Sequence, residues 1–158
     1  RAEERERERE RESLSKQNAV LLAISTRRER ERASERASMS TSSIDENKII
    51  HSPSGNSWIA TIEESILAHQ LVVTMFGASW SEHSKAVYDM MVQQKKLLPD
   101  VMFCKVDVDE AKEIALEMGV RIIPTVVFIQ EGKEVGRIKR PSNLELLLQK
   151  TMSFVQVQ

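Results

Sequence analysis

Leu71-Val72-Val73-Thr74-Met75-Phe76-Gly77-Ala78-Ser79-Trp80-Ser81-Glu82-His83-Ser84 describes a strand, a break and the start of a helix. Leu71 to Phe76 is apolar on both alternating faces apart from Thr74. A strand with one wet face alternates polar and apolar side chains, so a run without a polar face predicts a central strand covered on both sides. Gly77 to Trp80 interrupts the run. Ser81 then stands where a serine oxygen can accept one of the free N–H groups of a helix's first turn.

The same alternation of patterns extends to either side. Lys48-Ile49-Ile50-His51 predicts a short first strand, and Pro53-Ser54-Gly55-Asn56 is turn chemistry. Asn56 or Ser57 is expected to cap a helix that places Ile59, Ile62 and Ile66 on one face. Val87, Met90, Met91, Leu97 and Leu98 form the next helical stripe, which Pro99 ends, and residues 101–106 form a strand. Asp109 is expected to cap a third helix with Ala111, Ile114, Ala115 and Met118 inward, and Gly119 stops it. Residues 125–130 and 133–138 form a hairpin around Glu131-Gly132. Ser142 and Glu145 suggest a capping box ahead of the stripe Leu144, Leu147, Leu148, Met152 and Val155. These stripes of Met and Leu are core faces. The order of elements predicts an α/β fold, a central sheet with helices on both faces.

Before this domain lies a segment of different character. Residues 1–38 carry 11 basic and 9 acidic side chains, with Arg and Glu alternating from Arg5 to Glu12. So polar a segment buries too little apolar surface to fold alone, which leaves a solvated helix or a disordered arm. Its charges nearly cancel and no aromatic residues interleave, which argues against a nucleic-acid arm. A GA dinucleotide repeat also encodes Arg-Glu alternation through AGA and GAG codons. The chain begins with Arg, and Met39-Ser40-Thr41-Ser42-Ser43 looks like an ordinary cytosolic start. Residues 1–38 are therefore expected to be translated leader or a gene-model artefact, 39–47 a linker, 48–155 the folded domain and 156–158 a tail.

Composition narrows the function classes. With 41% hydrophobic and 30% charged residues the chain has the balance of a globular domain. Its longest apolar run, residues 19–24, falls well short of the ~20 residues of a membrane span. That run follows mixed charge and precedes no clear small-residue cleavage site, which argues against a secretory signal. Cys104 is the single cysteine, so neither an intramolecular disulfide nor a multi-cysteine zinc site can form. A lone thiol suits a reducing compartment, and the expected location is cytoplasmic. A net charge of −1 gives no general argument for nucleic acid or membrane partners, and neither is expected.

Several local strings resemble the thioredoxin family. Phe76-Gly77-Ala78-Ser79-Trp80 is similar to the family's run into its active site, and Lys105-Val106-Asp107-Val108-Asp109-Glu110 to its third strand and the helix start that follows. Gly119-Val120-Arg121-Ile122-Ile123-Pro124-Thr125 resembles the segment that holds the family's cis-proline, which would be Pro124. Gly132-Lys133-Glu134-Val135 resembles the last turn. The resemblance spans roughly residues 48 to 152 and implies the thioredoxin fold, with a central mixed β-sheet.

The departures bear on function. Where the family has Cys-x-x-Cys, this chain has Ser81-Glu82-His83-Ser84. Some similar plant proteins replace the second cysteine with serine; here the first is serine as well. Disulfide exchange needs one thiolate to attack and a second thiol to resolve the mixed disulfide, and a serine hydroxyl does neither. The family's buried aspartate would fall at Met75, and its usual glycine near the substrate groove at Arg140-Pro141. What the resemblance leaves is the groove beside Pro124, where an extended substrate chain pairs with backbone and no thiol is needed. The peptide-binding residues it implies are Trp80, Glu82, His83, Ile123 and Pro124.

Other chemistry is less well supported. Ser81, His83 and Ser84 invite a hydrolase, yet no Gly-x-Ser-x-Gly elbow surrounds either serine, and neighbours on one helical turn point apart. His51, His69 and His83 are widely spaced, so no metal site is expected. Cys104 lies mid-strand among apolar residues, as an inert core cysteine does. The favoured function is a redox-inactive thioredoxin-like protein that binds a peptide or protein partner and uses no cofactor. The alternatives are a thiol-disulfide oxidoreductase in a Cys-to-Ser form, against which Met75 argues, and a structural subunit of a larger assembly.

Overall fold

The structure, a computed structural model, describes residues 1–12 and 49–155. Its elements are α1 over residues 2–12, β1 (Ile50–Ser52), α2 (Gly55–Leu67), β2 (Val72–Gly77), α3 (Glu82–Leu97), β3 (Met102–Asp107), α4 (Lys112–Glu117), β4 (Thr125–Gln130), β5 (Lys133–Lys139) and α5 (Leu144–Val155). Every residue of β2 is buried, as a run apolar on both faces apart from Thr74 predicted.

Period-2 alternation along β2 divides the core in two. Val72 and Phe76 face one cluster, with Trp58, Ile59 and Ile62 of α2 and Ile114 and Ala115 of α4. Val73 and Met75 face the other, with Val87 and Met91 of α3 and Leu147 of α5. Each fully buried large apolar side chain contributes about 1.5–3 kcal/mol. Thr74, the one hydroxyl in the run, accepts the indole N–H of Trp58 at 3.1 Å and is thereby satisfied inside the core.

The strands lie in the order β1-β3-β2-β4-β5. β1, β3 and β2 run parallel, β4 is antiparallel to β2, and β5 is antiparallel to β4. The sheet is therefore mixed and covered by helices on both faces, the predicted α/β class. In the β4–β5 turn both Glu131 and Gly132 have positive φ, 51° and 73°. A two-residue hairpin loop of type I′ requires that conformation.

Several local expectations shift. β1 begins at Ile50; Lys48 lies outside the described residues. The cap of α2 is Ser54, in place of Asn56 or Ser57. Ser54 Oγ accepts the Ser57 N–H and Ser57 Oγ accepts the Ser54 N–H, a capping box with serine where glutamate is usual. Asp109 does not cap α4, which follows Ala111 without any side-chain cap. At α5, Asn143 Oδ1 accepts the Leu146 N–H at 2.8 Å and takes the role expected of Ser142. Leu97 is 61% exposed. Six residues at 100° each carry it about 120° around α3 from the buried Met91, off the core face.

Of the two forms open to the Arg/Glu tail, residues 2–12 adopt the solvated helix, every residue exposed. Arg and Glu are good helix formers, and their alternation makes i,i+3 pairs opposite in sign while i,i+4 pairs are alike. Residues 13–38, the 39–47 linker and the 156–158 tail lie outside the described residues. Among the described residues no helix is long and apolar enough to cross a membrane.

Candidate functional site

Register brings four chain segments to one end of the sheet. Gly77 at the end of β2 is level with Asp107 on β3, and Phe76 with Thr125 at the start of β4. Thr125 in turn pairs with Lys139 at the end of β5. The loops around Trp80, Asp109, Ile123-Pro124 and Arg140 therefore emerge together.

Ser81 is the N-cap of α3, with extended backbone at φ −92° and ψ 115°, and its Oγ accepts the Ser84 N–H at 3.2 Å. Ser84 is 3% exposed, and its Oγ accepts the Ala78 N–H at 3.2 Å. Ser81 thus satisfies a donor of the helix's first turn, which would otherwise be orphaned, and Ser84 satisfies one in the loop that leads into it. Gly77 permits the close seating of that first turn: a Cβ there would lie 2.8 Å from Ser84 Oγ. It would also lie 3.3 Å from Met75 Cε, so Met75 and Ser84 flank the same spot. Met75 is 1% exposed among Val87, Met91 and Val126, surroundings that suit a thioether and would penalise a carboxylate. Lys105 stands level with Met75 on β3, its Nζ 5.1 Å from the centre of the Tyr88 ring.

The Trp80 loop is held by two aspartates. Asp107, nearly buried, accepts the Ser79 N–H at 3.1 Å and the Asp109 N–H at 2.8 Å. Asp109 then accepts the Trp80 indole N–H at 2.8 Å. The indole is fixed although Trp80 is 69% exposed. Neither aspartate was among the expected binding residues. The Asp-x-Asp at the end of a strand was the available signal, but which loop it would face depends on strand order.

Across the site the Ile123–Pro124 bond is cis. Pro124 is buried, Ile123 half-buried and Ile122 exposed. The Pro124 carbonyl accepts the Arg140 N–H at 2.8 Å, and the Ile123 carbonyl accepts Arg140 Nε–H at 3.4 Å. Among the described residues the Ile123 N–H has no hydrogen-bond partner. Glu82 and His83 are exposed on the first turn of α3; Glu82 pairs with Lys85 at 2.8 Å, a solvated contact of little energetic weight.

The remaining candidates are placed elsewhere. Among the described residues no hydrogen bond joins His83 to Ser81 or Ser84, and both serine oxygens accept from backbone. His51 faces Glu110 and His69 faces Glu131, each on the surface, and no three His, Cys, Asp or Glu side chains gather in metal-ligating positions among the described residues. Cys104 is fully buried with its Sγ 3.0 Å from Ser52 Oγ. Burial pushes its thiol up to about 12, so it stays protonated and non-nucleophilic near neutrality.

A mixed sheet in this order, a helix starting directly after the central strand's loop, and a cis-proline opening the adjacent antiparallel strand define a thioredoxin-fold protein. The thioredoxin family model matches residues 54–153, and the chain belongs to the thioredoxin family. It is similar to Thioredoxin H-type 1 of Nicotiana tabacum, 33% identical over 110 residues that cover 70% of this chain and 87% of that protein. Thioredoxin H-type of Picea mariana is 35% identical over 88 residues, 56% of this chain and 69% of that protein. The crystal structure of thioredoxin NaTrxh from Nicotiana alata superposes with a TM-score of 0.62 at 30% identity, covering 74% of this chain and 97% of that one.

Proposed function

We propose that this chain is a thioredoxin-family protein that performs no dithiol–disulfide exchange and binds an extended segment of a protein partner between Trp80 and Ile123-Pro124. One observation carries the first half: the only cysteine is buried in β3, while Ser81 caps α3 and Ser84 holds the Ala78 N–H where the family's chemistry would need sulfur. Exchange requires an attacking thiolate and a resolving thiol, and neither is available there. Support for binding comes from an exposed, clamped indole and an Ile123 N–H unpartnered among the described residues, both at the same end of the sheet. Exposed aromatics of fixed orientation are efficient binding anchors, and a free backbone donor suits strand-like pairing. Glu82 and His83, exposed on the first turn of α3, follow Trp80 in the chain, whereas Pro124 itself is buried next to the half-buried Ile123. The lone reduced thiol favours a cytoplasmic setting.

Two measurements test this reading. Insulin reduction with dithiothreitol should proceed no faster with the protein than in its absence; turnover above that blank contradicts redox inactivity. Affinity capture with the full chain should lose its partner on Trp80→Ala or Ile123→Asp. Retention by both variants moves the interface elsewhere.

A further inference from the structure

Resting on that binding reading, we propose that the partner segment carries an Asp or Glu side chain opposite Arg140, and that Arg140 selects for it. Arg140 has φ +49°, a left-handed backbone that few residues other than glycine, asparagine and aspartate adopt. Such an outlier invites a functional explanation, because the arginine returns little to the fold. Its side chain is exposed, and the one hydrogen bond it makes among the described residues, Nε to the Ile123 carbonyl, is long at 3.4 Å.

That bond is placed on a group the partner would use. An extended chain beside Ile123 pairs with both its N–H and its carbonyl. Among the described residues the N–H is unpartnered, whereas the carbonyl accepts from the guanidinium. A neutral segment competes with Arg140 for that carbonyl and leaves the cation without compensation. A segment with a carboxylate offers the guanidinium a planar, charge-assisted partner and frees the carbonyl in the same step.

The surrounding charge points the same way. Arg121, two residues before Ile123, and Lys139, level with Thr125, are exposed. None of Arg121, Lys139 and Arg140 makes an ion pair among the described residues. On the Trp80 bank Asp109 is an exposed carboxylate, while the charge of Glu82 is matched by Lys85. The site is therefore polarised, and an acidic residue in the partner lies on the Pro124 side.

A displayed library of short random peptides, panned against the full chain, provides the test. Asp or Glu should be enriched at a constant offset from an apolar residue. A selected peptide should bind about tenfold more weakly when that acid is changed to Lys. The preference should vanish in Arg140→Gly, whose backbone suits the left-handed position, and reverse in Arg140→Glu. Peptides that lose binding on Trp80→Ala but show no acid preference overturn this proposal and leave the binding reading in place. An acid preference unchanged in both Arg140 variants overturns it equally. Enrichment of no peptide at all removes both.

Discussion

The indole N–H of Trp80 meets the Asp109 carboxylate at 2.8 Å, so the exposed aromatic of the site is oriented by a loop that follows a different strand. Asp109 is itself positioned through its N–H by the nearly buried Asp107, which also holds Ser79. The Trp80 loop and the β3–α4 loop thus form one unit.

Asp109→Ala should release the indole without unfolding the protein. Partner affinity should fall towards that of Trp80→Ala, while unfolding free energy changes by about 0.5 kcal/mol or less, as at other exposed positions. Acrylamide quenching of Trp80 fluorescence, read in a Trp58→Phe background, should rise. Asp107→Ala leaves two backbone donors unsatisfied and should cost about 1–3 kcal/mol. An unchanged denaturation midpoint for Asp107→Ala would show that this clamp is unimportant.

Ser81→Cys with Ser84→Cys should permit a disulfide at the start of α3 yet give only weak insulin reduction. Met75 offers no proton acceptor beneath the helix start, being packed among apolar side chains. Adding Met75→Asp should raise the rate and lower stability, because the carboxylate enters an apolar site, with Lys105 across on β3 limiting the cost. Full thioredoxin-like turnover from the two cysteines alone would show that Met75 is no obstacle.

Cys104 supplies a pH signature. Its thiol titrates near 12 in the folded chain against an ordinary value of 9.0, so folding retains a proton that the unfolded chain loses. This contribution to stability is complete below pH 9 and declines as pH rises towards 12, with a limiting slope of about 1.4 kcal/mol per pH unit. Denaturant titrations from neutral to alkaline pH should show a steeper fall than for Cys104→Ala. Parallel curves would sink the assignment, as would rapid iodoacetamide labelling of the native protein.

Gln94 is fully buried between α3 and α5, and its Nε2 has no hydrogen-bond partner among the described residues. Its Oε1 lies 3.1 Å from Thr151 Oγ1, whose single proton is also directed to the Leu147 carbonyl at 2.8 Å. Gln94→Met keeps the volume and removes the unsatisfied donors, so it should stabilise by about 1 kcal/mol in chemical denaturation. A loss of that size instead would mean the amide is fully satisfied in solution.

The places where sequence reading failed share a cause. Ser54, Asn56 and Ser57 are all competent caps within four residues, and the choice falls to whichever has extended backbone and a reciprocal partner, here Ser54. Asn143 and Ser142 pose the same ambiguity before α5. Asp109 had the right type and place to cap α4, but its carboxylate is engaged by a tryptophan 29 residues away.

The sequence by itself determined the order of strands and helices, because period 2 and period 3.6 are local properties of neighbouring residues. It also determined that no Cys-x-x-Cys exists, because one cysteine cannot form a pair. Tertiary structure alone decided that Ser84 supports Ala78, that Asp109 orients Trp80, and that Arg140 lies on the Ile123 carbonyl. The Asp109–Trp80 contact joins loops brought level only because β3 lies beside β2, whereas Arg140 meets Ile123 across the β4–β5 hairpin by a side-chain reach that the turn signal does not specify. The placing of β3 beside β2 is a non-local choice made by burying both faces of β2 at once.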